Sequence, residues 1–158
     1  MPMSDMTITY LADAPESIPV LAQWLHDEWD HMYVGATIET RTRRLESLRN
    51  RDVVPLGIVA RANAETLGIA SLIHSDMETH PELTPWLASV YVGAPFRGQG
   101  IGRALVTRLT EEAKRLGFST IYLWTDKEEH FYASMNWRLL SREEYKNKSV
   151  SVMSYSFP

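Results

Sequence analysis

The chain contains no cysteine. That excludes disulfides, a thiolate nucleophile and any metal site built on sulfur, and it accords with a reducing compartment, so a cytoplasmic location is expected. Long apolar runs are also missing. No stretch approaches the roughly 20 residues of a membrane-spanning helix. The opening "MPMSDMTITY" has no basic segment followed by an apolar core, so neither a leader peptide nor a membrane partner is expected. Nor is there an excess of positive charge. Sixteen Lys and Arg stand against twenty Asp and Glu, a net charge of −4. This argues against nucleic acid as a partner, since non-specific binders of it present a basic surface. The histidines form no H-x-x-x-H pair. His26 and His31 are five apart, off one helical face, and no metal is expected. What remains is 158 residues with an apolar fraction of 44%, enough for one domain, 1–158, around a core of its own.

Periodicity divides this domain into the order βααβββαβαββ. "TITYL", Thr7 to Leu11, reads as the first strand. A helix follows, with Asp13 or Ser17 as cap and Ile18, Leu21, Trp24 and Leu25 at helical spacing. A second helix has Thr37 as cap and Ile38, Leu45 and Leu48 inward, and its arginine-rich run from Arg41 to Arg51 reads as a solvated face. "LGIVARA" and "TLGIASLI" flank a turn at Asn63-Ala64-Glu65 and suggest an antiparallel hairpin. After the polar loop "HSDMETHPELTP" comes the strand "WLASVYV". A helix from Gly100 to Leu116 then buries Ile101, Leu105, Leu109, Ala113 and Leu116, and Gly117 stops it. "FSTIYLWT" is the next strand, "KEEHFYASM" a short helix capped by Asp126, and the rest is two strands around a polar loop. Strand, helix and strand at the centre imply a parallel βαβ crossover. The hairpins make the rest antiparallel. The expected class is α/β with a mixed, mostly antiparallel sheet flanked by helices.

The junction before the long helix, "SVYVGAPFRGQGIGRALVTRL", is crowded with glycine. Three anion-binding patterns compete for it. A P-loop needs Lys and Ser/Thr where Gln99 and Gly100 stand. A dinucleotide fingerprint needs glycine where Arg103 stands. The third pattern is R-G-x-G-x-G, made by Arg97, Gly98, Gly100 and Gly102 at a helix start. Bare backbone there lets unpaired amides approach an anion, and Arg97 and Arg103 add charge. That describes a pyrophosphate cradle requiring no metal.

Val90 to Leu109 resembles the acetyl-CoA-binding motif of the GNAT N-acetyltransferases, with Arg97, Gly100 and Gly102 on its [QR]-x-x-G-x-[GA] core. A second segment, Ile121 to Leu140, is similar to the family's strand and F-Y-x-x-x-G-[FW] helix. Phe131, Tyr132 and Trp137 match there, and Asn136 replaces the usual glycine, a mild departure because Asn tolerates left-handed backbone. The resemblance covers most of the chain and implies acetyl-CoA as co-substrate. Backbone of Val90, Tyr91 and Val92 would hold its pantetheine arm and polarise the thioester. The loop and helix start, Arg97, Gly98, Gln99, Gly100, Ile101, Gly102, Arg103 and Ala104, would hold its pyrophosphate.

The resemblance further implies that Tyr132 protonates the departing thiolate. The general base stays open between Glu78 and Asp76 in the polar loop. Glu28, Trp29, Tyr33 and His80 are the candidates for the acceptor site. Without cysteine, direct attack of a primary amine in a ternary complex is expected, and compact size favours a small-molecule acceptor. Two alternatives stand beside this: a non-catalytic acetyl-CoA-binding or sensing module, and acetylation of a protein N-terminus or lysine. The C-terminal strands offer an edge for a homodimer.

Overall fold

Each element follows from a local pattern, and together they make a seven-stranded sheet covered on both faces. The computed structural model describes residues 5–158; the question of a leader peptide falls partly on residues 1–4, outside that range. The strands are β1 (Met6–Tyr10), β2 (Leu56–Ala62), β3 (Glu65–Ile73), β4 (Trp86–Val92), β5 (Thr120–Thr125), β6 (Arg138–Tyr145) and β7 (Lys148–Ser156). The helices are α1 (Ile18–Trp29), α2 (Ile38–Glu46), α3 (Ile101–Arg115) and α4 (Glu129–Ala133). The chain order is βααβββαβαββ, and the sheet order is β1-β2-β3-β4-β5-β7-β6. Every neighbouring pair is antiparallel except β4 and β5, which are parallel and joined through α3.

Two layers of side chains hold the helices. Ile101, Leu105, Leu109 and Ala113 of α3 pack on Leu56, Ile58, Ile121 and Leu123 of one sheet face. Leu21 and Leu25 of α1 and Leu45 of α2 pack on Val59 and Ile69 of the other. Beyond them Trp86, Tyr145, Val150 and Val152 bury Met77 of the long loop between β3 and β4. Trp24 lies so close to the end of β4 that a Cβ on Gly93 would come within 2.8 Å of its ring. Gly93 therefore admits α1 to the sheet.

Several expectations are corrected in detail. Leu11 begins a 3-10 turn and is not part of β1. Of the two candidate caps of α1, Asp13 pairs with Arg51 instead, and Ser17 does stand at the N-cap, but its hydroxyl bonds the Thr66 hydroxyl at 2.7 Å and not a first-turn amide. Asp126 does not cap α4, because its carboxylate pairs with Lys148 at 3.1 Å while the Thr125 hydroxyl accepts from the Glu128 N–H at 3.0 Å. Thr37 does cap α2, exchanging bonds with Thr40 in both directions. Gly117 ends α3 with a left-handed backbone, and Asn136 adopts the same conformation.

The largest correction concerns α2. Ile38 is 36% exposed and so does not face inward, whereas Arg41 is only 6% exposed, so the arginine run is not wholly solvated. Arg41 pairs with Asp30, itself buried, and His26 Nδ1 lies 3.0 Å from the same carboxylate. Burial opposes ionisation of Asp30, but the bonds from Arg41 and His26 outweigh it and hold the carboxyl below its ordinary range. Removing one partner of a buried pair strands the other charge. Arg41→Ala should therefore destabilise the protein by about 3 kcal/mol or more, read as a lowered midpoint in urea melts at neutral pH.

Candidate active site

The site originates in a fault in strand pairing. Between the pairs Ala88–Ser71 and Tyr91–Ile69, two residues of β4, Ser89 and Val90, face Ala70 alone on β3. Ser89 takes a left-handed backbone, φ 55°, to make this bulge. The bulge turns β4 away from β5. The two strands pair only at Trp86–Tyr122, with the Tyr122 N–H bonded to the Pro85 carbonyl at 3.0 Å. Past that point they splay, and the backbone of Ser89 to Val92 presents an edge that β5 does not pair.

The glycine loop ends at the mouth of this wedge. Gly98 and Gly100 both have left-handed backbone, φ 79° and 84°. Gly100 is the N-cap of α3 and has no side chain to bond the first-turn amides. The helix's own bonding begins with the Ala104 N–H on the Gly100 carbonyl at 3.1 Å, leaving the amides of residues 101–103 without a helical partner. Gly102 has its nearest neighbours at 3.7 Å, Val92, and 3.9 Å, Phe131. The protein itself therefore has room for a side chain there.

Wedge and loop open into one cleft of about 1270 Å³. Val90, Tyr91, Val92, Arg97, Gly98, Gly100, Ile101, Gly102 and Arg103 line it; Gln99 and Ala104 do not. The Gln99 side-chain oxygen is buried without a partner among the described residues. Arg97 donates from Nε to the Val92 carbonyl at 2.8 Å and lies over the Tyr91 ring at 5.1 Å. Arg103 bonds the Ser134 hydroxyl at 3.0 Å. Tyr132 borders the cleft from α4, and burial, reinforced by the charge of Glu128, raises the pKa of its phenol.

The other half of the cleft lies under α1, α2 and the β3–β4 loop. Glu28, Trp29, Tyr33 and Asp76 line it, whereas Glu78 and His80 do not. Glu78 is solvent-exposed and paired with Lys146 at 3.3 Å. His80 bonds Glu143 at 2.9 Å. Asp76 sits beside the indole of Trp124, which donates to its backbone carbonyl at 3.2 Å. Burial pushes the Asp76 carboxyl up to about 7, against the opposing pull of Arg44, the Trp124 N–H and Arg41. Burial together with the charges of Asp76 and Tyr145 pushes the Tyr33 phenol up to about 12. Arg41, Arg44 and Trp124 belong to this wall, and sequence reasoning did not place them here. For Arg41 a signal existed: it stands four residues before Leu45 and seven before Leu48, on the buried stripe of α2.

Residues 18–137 match the Acetyltransferase (GNAT) family, and the chain belongs to it. It is 29% identical over 133 residues to N-alpha-acetyltransferase 80 of Mus musculus, a match covering 79% of this chain and 39% of that protein. The match thus spans well under half of the curated relative. An aminoglycoside 6'-N-acetyltransferase solved with coenzyme A superposes with a TM-score of 0.74 at 19% identity, over 96% of this chain and 98% of that one. The Salmonella typhimurium protein yncA, solved with acetyl-CoA, also gives 0.74 at 17% identity, over 96% and 94%. These structures share the fold of this chain.

A raised carboxyl pKa has a signature in stability. Unfolded aspartate titrates near 3.9 and Asp76 in the fold near 7, so the folded state binds the extra proton between those values. The stability this contributes is complete below about pH 4 and is lost as pH rises through 7. Asp76→Asn, neutral throughout, should match the wild type in urea melts near pH 4 and exceed it at pH 8.

Proposed function

We propose that the chain works as a single domain, residues 1–158, in the cytoplasm, moving the acetyl group of acetyl-CoA to the primary amine of a small molecule by direct attack in a ternary complex. The observation that carries this reading is the splayed β4–β5 wedge, with its unpaired backbone edge leading to bare helix amides. Family membership and neighbours solved with coenzyme A or acetyl-CoA support it. The residues fit the ligand: a linear amide-bearing arm matches the edge of Val90, Tyr91 and Val92, and a pyrophosphate matches the first-turn amides flanked by Arg97 and Arg103. Acetyl-CoA supplies an activated acetyl thioester.

The chain's own groups then manage protons. An ammonium entering from the α1–α2 side must lose a proton before it can attack. Asp76 takes the role of base, because it lines the cleft and holds a carboxyl near neutrality, whereas Glu78 is tied to Lys146 outside the cleft. Tyr132 takes the role of acid. Its side chain borders the same cleft, its phenol is protonated at neutral pH, and it gives that proton to sulfur as the C–S bond breaks. Glu28, Trp29 and Tyr33 shape the acceptor pocket. The aminoglycoside acetyltransferase neighbour supports a small acceptor. Likeness to N-alpha-acetyltransferase 80 supports a second reading, a protein N-terminus as acceptor.

Calorimetric titration with acetyl-CoA, with ATP and NAD as controls, tests the cradle. Selective binding is expected, and its absence overturns the reading. In the same experiment Gly102→Ala should weaken acetyl-CoA by about tenfold or more without loss of stability, since alanine favours a helix by up to about 1 kcal/mol over glycine. Tyr132→Phe should lower kcat by about 100-fold with acetyl-CoA affinity kept; unchanged turnover would remove Tyr132 from the chemistry.

A further inference from the structure

The acceptor wall contains a cation with no carboxylate assigned to it. Of the five arginines along α2 and the turn after it, three are committed: Arg41 to Asp30, Arg49 to Glu46 at 2.8 Å, Arg51 to Asp13; Arg43 is exposed and lies outside the cleft lining. Arg44 is different. It lines the cleft, lies 5.8 Å from the centre of the Tyr33 ring, and has no ion-pair partner among the described residues. The ring steadies the guanidinium without consuming its hydrogen-bond donors. Lys146 approaches Tyr33 as well, 4.8 Å from the same ring, but Glu78 already neutralises it. Among the charges reaching Asp76, that of Arg44 comes first and that of Arg41 second.

The acceptor wall thus has two chemical poles. Asp76 and Glu28 of the lining supply the acidic one, and the exposed Arg44 the basic one, its side-chain donors without a hydrogen-bond partner among the described residues. A plain ammonium satisfies the first pole and leaves Arg44 facing like charge. A molecule bearing an amine and a carboxylate on neighbouring carbons satisfies both. Guanidinium and carboxylate match as a two-point pair, which fixes orientation as well as affinity.

We propose, building on the acetyltransferase reading above, that Arg44 makes this enzyme selective for small aminocarboxylates such as free amino acids, gripping the carboxylate while the amine is presented to Asp76. Specificity then comes from a group that does not hold the acetyl donor and reaches Asp76 only through its charge.

The test is a panel of free amino acids lacking a thiol, each assayed against its own carboxamide. Release of coenzyme A from acetyl-CoA is followed with the wild type, Arg44→Gln and Arg44→Lys. Acetyl-CoA binding is measured on all three by calorimetry. For the accepted side chains, kcat/KM should favour the acid over its amide by about tenfold or more, about 1.4 kcal/mol, expressed in KM. The preference should collapse towards unity in Arg44→Gln and survive in part in Arg44→Lys, which keeps the charge and loses the fork. Amides serving as well as acids in the wild type overturns the proposal, and so does acetyl-CoA binding with no amino acid consumed. In both outcomes retained acetyl-CoA binding leaves the acetyltransferase reading standing. Failure of the wild type to bind acetyl-CoA overturns both together.

Discussion

Ser89 holds a left-handed backbone in the middle of a strand, and the geometry of the cleft depends on that one bulge. Had β4 kept register with β3 along its length, its far edge would have stayed parallel to β5 and zipped shut against it. The second residue opposite Ala70 re-aims the strand. The sheet then remains continuous at Trp86 and open beyond it. Core packing secures the arrangement from both faces: α3 bridges the two half-sheets on one side, and the Met77–Trp86–Tyr145 cluster closes the narrow end on the other. The local strain at Ser89 is small beside the apolar area these two clusters bury.

Electrostatics divides the cleft between its two ends. The glycine-loop end offers backbone donors and two arginines. The charges around the opposite end are largely compensated. Asp30 is satisfied by Arg41 and His26 behind the wall, and outside the cleft Glu78 is satisfied by Lys146 and Glu143 by His80, while Asp76, Glu28 and Arg44 line the cleft without an ion-pair partner among the described residues. The buried Arg41–Asp30 pair therefore has a positional role. It seats α2 against the end of α1, and α2 in turn holds Arg44 over Tyr33 and near Asp76.

Much of this was legible in the sequence. The element order came from alternation and helical spacing, because β2, β3 and α3 each have a clear apolar face. The glycine loop was readable because positive φ and bare amides leave glycine little competition at positions 98 and 100. The acceptor wall was harder. Its residues come from α1, α2, the β3–β4 loop and β5, far apart in the chain, and only folding brings them together. The reading of Ile38 as inward and Arg41 as outward failed for a definite reason. Hydrophobicity alone assigned the face, and a buried ion pair reverses that rule. Asp76 and Glu78 were equivalent as loop carboxylates, and they separate only through neighbours: the Trp124 indole for one, the Lys146 ammonium for the other.

A seven-stranded sheet ordinarily has two edges, here β1 and β6. The splay gives this one two more, facing each other across the wedge. Free strand edges invite other chains to add on and aggregate. These inner edges escape that hazard by shape. They converge to a closed end at Trp86–Tyr122, and α3 roofs them on one face, so an incoming strand has no straight path along them. The fold thus retains exposed β backbone as a recognition surface while its own topology keeps other polypeptides from pairing with it.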